Sequence, residues 1–122
     1  MAELTLLPRK EFEILTNEGE KIKGQFGTWA LKRFCDKQKY SIKQAGEKLG
    51  DPSLGDVIEY LLSAIEHSAR KTGTQFSYTD VQICDWIDQL GGWQGGTFVK
   101  LFNHSADESP EVDDGEKKTE GS

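Results

Sequence analysis

Few residues in this chain have the type and spacing that catalysis requires. Asp85 and Asp88 are three positions apart, a spacing that can present two carboxylates on one helix face for acid–base chemistry. Apolar residues separate them, and a solvated helix face is the usual reason for such a pattern. His67 and His104 have no partner at metal-ligand spacing, so we expect neither to bind a metal nor to act as a base.

The cysteines and the glycine-rich segment carry no catalytic signature either. Cys35 and Cys84 are 49 positions apart and outside any C-x-x-C motif, so the sequence predicts two buried, reduced thiols. Residues 91–96 include four glycines, but they follow a predicted helix and precede no Lys-Ser or Lys-Thr pair that could bind phosphate. We therefore predict a protein that is not an enzyme and uses no metal, cofactor or small-molecule substrate.

The length of the chain and its apolar pattern restrict its class. With 122 residues, it has room for one domain with a core of its own. Its apolar runs fall far short of the roughly 20 residues that a membrane span requires. The N-terminus lacks the basic and apolar regions of a secretory signal. The sequence thus predicts a cytoplasmic protein with no transmembrane helix.

The net charge of −6 is distributed unevenly. Residues 103–122 contain seven acidic residues, two lysines and little apolar surface, which predicts a disordered acidic tail. Residues 21–48 carry a local charge of +6 and residues 50–90 one of −5, so copies of the chain could self-associate through oppositely charged halves. The basic half has no cluster of aromatic and arginine residues, and we predict no nucleic-acid binding.

The elements that must position any site begin with a β-hairpin. Residues 11–27 alternate between apolar and polar side chains around a turn at Gly19, which is typical of two antiparallel strands. One face of this hairpin is apolar and must be covered by helices or by another chain. Residues 1–10 are predicted to form an N-terminal arm.

Helical periodicity and capping motifs predict five helices after the hairpin. Their expected ranges are about 28–39, 41–49, 53–72, 79–90 and 93–103. Thr28 is predicted to cap the first helix, Ser41 and Thr79 begin capping boxes, and Gly73 ends the third helix. Two glycines weaken the fifth. The sequence therefore predicts an α+β fold, mostly helical, with a single domain over residues 11–102.

This order of elements resembles the tail assembly chaperones of long-tailed bacteriophages and prophages. The likeness rests on the hairpin with its junction at residues 24–31, the basic first helix, the acidic and apolar residues 56–62, and residues 79–88. It covers about residues 11–102. The resemblance implies a non-catalytic chaperone that coats the tape-measure protein and recruits tail-tube subunits. The alternative is a structural tail subunit, either a tail completion or a tube-associated protein, retained in the virion.

A chaperone for apolar helices needs apolar side chains at its surface. The expected partner-binding residues are Trp93, Phe98, Leu101 and Phe102 of the C-terminal segment, with Trp29 at the start of the first helix as a second candidate. The alternative is that these residues only complete a small core.

Overall fold

The computed structural model describes residues 2–106, in which a three-stranded antiparallel sheet is followed by five helices. The strands are β1 (Glu3–Leu7), β2 (Glu11–Leu15) and β3 (Lys21–Gln25), in the spatial order β1-β2-β3. The helices are α1 (Thr28–Gln38), α2 (Ile42–Gly50), α3 (Leu54–Thr72), α4 (Asp80–Gln89) and α5 (Gly96–Ser105). The predicted α+β fold is confirmed.

The sheet packs one face against the helices, as the alternating pattern requires. Phe12 pairs with Gly24 and Ile14 with Ile22, and all four residues are buried. On the outer face Glu13 lies opposite Lys23, where unlike charges favour the pairing. The sheet therefore turns a charged face outward and an apolar face toward α3, the helix that packs on β3.

The predicted N-terminal arm is corrected by the structure, because residues 3–7 form the edge strand β1. Leu4 pairs with Ile14, and Leu6 with Phe12. Residues 3–6 do alternate between polar and apolar side chains, but this run is too short to predict a strand, and a strand at a sheet edge forms only by pairing with its neighbour. The hairpin predicted for residues 11–27 is present as β2 and β3, with Gly19 at a positive φ of 87° between them.

The C-terminal helix also differs from its predicted range. α5 begins at Gly96 instead of residue 93, since residues 93–95 belong to a glycine-rich turn, and it continues to Ser105. The Nε2–H of His104 donates to the backbone oxygens of Leu7 and Glu11, at 2.8 and 3.0 Å. This contact ties the helix end to the β1–β2 turn, so residues 103–105 are not part of a tail. From residue 107 onward the predicted disordered tail lies outside the described residues.

The other helices lie within one residue of their predicted limits, and most of the predicted caps are present. Ser41 and Thr79 form complete capping boxes, and Gly73 ends α3 in the left-handed conformation. Thr28 does not cap α1: the N-cap position is occupied by Gly27, and no side chain bonds there. Gly27 has a φ of 141°, which glycine adopts more readily than threonine.

The core is built around α3, which packs against α1, α4 and β3. Aromatic rings from the sheet and α1 meet on it: Tyr60 lies 5.1 Å from Phe26 and 5.3 Å from Phe34, measured between ring centroids. Both cysteines are free, but only Cys35 is buried. The prediction of two buried thiols is therefore wrong for Cys84, which lies on the outer face of α4.

Candidate partner-binding groove

A tight glycine turn determines where the C-terminal aromatic residues lie. After α4 the chain reverses through Gly91 and Gly92, which have φ values of 110° and 87° in the left-handed region. A Cβ atom on Gly95 would lie 2.9 Å from the backbone oxygen of Gly91, too close for any residue with a side chain. The turn holds Trp93 at the surface and starts α5 immediately afterwards.

The space between this turn, α5 and the start of α3 is an open apolar groove with a volume of about 230 Å³, which we call the Trp93 groove. One side is formed by Pro52, Leu54 and Val57. The other side is formed by Trp93, Phe98, Val99, Phe102 and Asn103. None of these eight residues is ionisable, so the groove offers apolar contact and one amide, and no group for acid–base chemistry.

Three groove residues expose much of their apolar surface. The exposed fractions are 55% for Trp93, 48% for Leu54 and 48% for Val99. Single exposed apolar residues are common on protein surfaces, whereas a contiguous set around a depression is typical of an interaction site. The groove is therefore the strongest candidate for a partner-binding site in the described part of the chain.

The structure divides the residues that the sequence analysis singled out. Trp93 and Phe102 line the groove, and Phe98 forms its floor while being only 6% exposed. Leu101 is fully buried, belongs to the core and offers no surface to a partner. Trp29 does not line the groove: its ring lies 5.7 Å from the His67 ring and 5.4 Å from the Arg70 guanidinium.

The α3 side of the groove was not predicted from the sequence. Leu54 precedes Val57 and Ile58 by three and four positions, so it extends the apolar stripe of α3 by one more turn. That extension was the signal that the sequence offered, and in the structure Leu54 is half exposed. No sequence pattern, however, indicates that this turn faces residues about 40 positions later.

A buried carboxylate fixes the start of α3, on which one wall of the groove depends. Asp56 accepts hydrogen bonds from Gln38 Nε2 at 2.9 Å and from the Tyr40 hydroxyl at 3.1 Å. Burial by itself would raise the pKa of Asp56, but these hydrogen bonds and the Ser53 cap outweigh it and lower the pKa. The charged form of Asp56 therefore holds the α1–α2 connection against α3.

A second buried carboxylate joins α1 to α3 away from the groove. Glu66 accepts from Arg33 Nε at 3.0 Å and from Arg70 Nε at 3.1 Å. Burial opposes the charge of Glu66, but the hydrogen bonds and positive charges of the two arginines prevail and lower its pKa. Both carboxylates thus have structural partners.

Within residues 2–106 no three histidine, cysteine or acidic side chains come together as metal ligands would. None of the helices in this described range combines the length and the apolar character needed to cross a membrane. The fold and the groove together define an α+β domain with an uncovered apolar site. No protein family model, curated protein or solved structure matches the chain.

Proposed function

We propose that this chain is a tail assembly chaperone of a long-tailed bacteriophage or prophage. In this proposal it is a non-catalytic, cytoplasmic protein of the bacterial host that binds the tape-measure protein and recruits tail-tube subunits. The observation that carries the proposal is the Trp93 groove, whose exposed apolar lining suits the task of covering apolar helices. The resemblance in element order supplies the identity of the partners.

The dimensions of the groove favour a helix side chain over a small molecule as its occupant. Its volume of about 230 Å³ is below the roughly 300–1,000 Å³ of small-molecule sites. Helix-in-groove recognition needs only that apolar anchors at i, i+3 or i+4 and i+7 meet apolar pockets in turn. A long apolar helix can provide such anchors repeatedly, and it would bury the exposed parts of Trp93, Leu54 and Val99.

The proposal can be tested by co-expressing the chain with the tape-measure protein of the same genome, followed by pull-down and size-exclusion chromatography. The informative variant combines Trp93→Ala with Leu54→Ala, because both side chains are about half exposed and their removal spares the core. Val81→Ala is the matched control, since Val81 is 73% exposed on α4 and lies outside the groove. Circular dichroism establishes that each variant is folded.

We expect the wild type and Val81→Ala to co-purify with the tape-measure protein and the double variant to lose it. Co-purification that survives in the double variant would remove the groove from the proposal. A wild-type chain that does not bind a soluble tape-measure protein would overturn the function itself. Mass spectrometry of purified virions provides a second test: a chaperone is absent from them, whereas a tail completion or tube-associated subunit is retained.

A further inference from the structure

A second groove, separate from the first, lies between α1, α2 and the end of α5; we call it the α1–α2 groove. Its volume is about 410 Å³, and it shares no lining residue with the Trp93 groove. Its apolar lining includes Leu31, Ile42, Leu49 and Tyr60. Ile42 is 69% exposed, an unusually open position for an isoleucine at the start of a helix.

The described chain ends at this groove. Ser105 and Ala106 are among its lining residues, and Ala106 is the last described residue. Whatever follows residue 106 therefore starts at the rim of the α1–α2 groove. The next ten residues, 107–116, contain six carboxylates, no basic residue and one large aliphatic residue, Val112.

One basic residue lines the groove and others lie beside it on α2. Lys10 lines it, and Lys43 follows the exposed Ile42 on α2. Among residues 2–106, the salt bridges use Lys32, Arg33, Lys37 and Arg70 as the basic partners. None of these salt bridges includes Lys10, Lys43 or Lys48. The helix α2 has one acidic residue, Glu47, against the two lysines Lys43 and Lys48.

We propose that the acidic C-terminal segment of this chain, residues 107–122, binds in the α1–α2 groove of the same molecule. Its carboxylates would meet Lys10 and Lys43, and Val112 would cover the apolar lining around Ile42. Val112 lies six positions after Ala106, and a chain of that length spans up to roughly 20 Å, which suffices to reach the groove that Ala106 itself lines. A short tether also gives the segment an effective concentration of about a millimolar, so even weak contacts hold it.

The proposal is tested on the full-length chain with a spin label near its C-terminus. The label is attached to the thiol introduced by Thr119→Cys in a Cys84→Ser background, since Cys84 is exposed and Cys35 is buried. Paramagnetic broadening is then read from amide NMR signals of Ile42 and Gly46 in the α1–α2 groove, and of Leu54 and Val99 in the Trp93 groove. The matched control has the same label, with the six carboxylates of residues 107–116 changed to amides.

We expect strong broadening at Ile42 and Gly46 that weakens in the amide control. It should also weaken at high salt, because the screening length falls from about 10 Å at 0.1 M to about 3 Å at 1 M. Equal broadening in the acidic and amide chains would show that the tether alone keeps the label near the groove, and this would overturn the proposal. Broadening confined to Leu54 and Val99 would place the segment in the other groove and overturn it as well.

Mixing isotope-labelled chains that carry no spin label with spin-labelled chains of natural isotope content identifies whose segment is bound. Binding within one molecule predicts no broadening in this mixture. It predicts strong broadening in the sample whose chains carry both the isotope label and the spin label. Equally strong broadening in both would show that the segment binds a second copy, and the intramolecular proposal would fail. The proposal does not rest on the proposed chaperone function, so either can fail without the other.

Discussion

Two groups of aromatic residues in this chain differ in how completely they are covered. In the sheet and α1–α3 region, Phe12, Phe26, Phe34 and Tyr60 are at most 6% exposed and are linked by ring contacts 5.1 to 5.3 Å apart. At the C-terminal groove, Trp93 is 55% exposed. Every ring of the first group is therefore part of the core, whereas the second group adds an exposed ring, Trp93, to the buried Phe98.

The difference follows from which elements cover each region. The first cluster is enclosed by β3 and α1, each of which packs closely on α3. α5, in contrast, packs on β1, buries Leu101 and turns Val99 to solvent. The turn before it consists mostly of glycine and leaves Trp93 exposed. The comparison predicts that removing a ring from the first region costs stability, whereas removing Trp93 from the second costs little stability and, under the proposed function, costs binding.

The largest effect is expected for Phe34→Ala. The Phe34 ring is fully buried and contacts the rings of Tyr40 and Tyr60. Truncation of a buried Phe leaves a cavity and lowers the free energy of unfolding by about 3–5 kcal/mol. Urea denaturation of the variant beside the wild type measures this loss. A loss below about 1 kcal/mol, the level of a typical surface site, would contradict the assignment of this region as the core.

Gly24→Ala is expected to produce the next largest loss. A Cβ atom on Gly24 would overlap the ring of Phe12, its partner across the β2–β3 pair. Displacing a packed ring typically costs about 1–3 kcal/mol. Gly46→Ala is the matched control, because Gly46 lies within α2 and a methyl group there would meet open space; it should raise stability by about 0.5–1 kcal/mol. Losses of similar size at both positions would refute the steric explanation.

The Glu66 contacts predict how the stability of the first region depends on pH. The pKa of Glu66 is lowered from its ordinary value of 4.5: burial raises it, but the hydrogen bonds and charges of Arg33 and Arg70 more than compensate. The folded state therefore takes up a proton less readily than the unfolded state. The stabilisation from Glu66 is fully present above pH 4.5 and is lost as the pH falls through the folded-state pKa.

Glu66→Gln should lower the free energy of unfolding at neutral pH by about 1–2 kcal/mol, the range of hydrogen bonds to charged groups reduced by solvent screening. The reduction applies because the Arg33 and Arg70 side chains are 40% and 64% exposed. Urea denaturation at decreasing pH should show the wild type and the variant converging in acid. Glu47→Gln, an exposed change on α2, is the control. A difference that stays constant with pH would exclude the ion pair as its source.

The helix limits that depend on short-range capping signals could be predicted from the sequence. Capping boxes at Ser41 and Thr79 and the glycine that ends α3 are short-range signals, and they placed α2, α3 and α4 within a residue of their limits. β1 was missed because an edge strand is defined by its pairing with β2. The hydrogen bonds of His104 were missed because their acceptors, Leu7 and Glu11, lie more than 90 positions away.

Only one of the two sides of the Trp93 groove could be predicted from the sequence. Its α5 side follows from the aromatic composition of the C-terminal segment, which led to Trp93, Phe98 and Phe102. The spacing of the apolar residues could not show that Leu101 is buried in the core while Phe102 lines the groove, because the orientation of α5 depends on its packing against β1. The α3 side, with Leu54, required knowledge of which elements meet.

The smallest effect on stability is expected for Trp93→Ala. This prediction tests the difference between the two regions most directly. Because the ring is 55% exposed and lies above the groove, its removal should change the free energy of unfolding by only about 0.5 kcal/mol. Urea denaturation beside Phe34→Ala makes the comparison within one experiment. A loss comparable to that of Phe34→Ala would place Trp93 in the core and leave the groove without its main exposed ring. A near-zero loss, combined with loss of tape-measure binding, would mean that this aromatic residue remains uncovered because its cover is another protein.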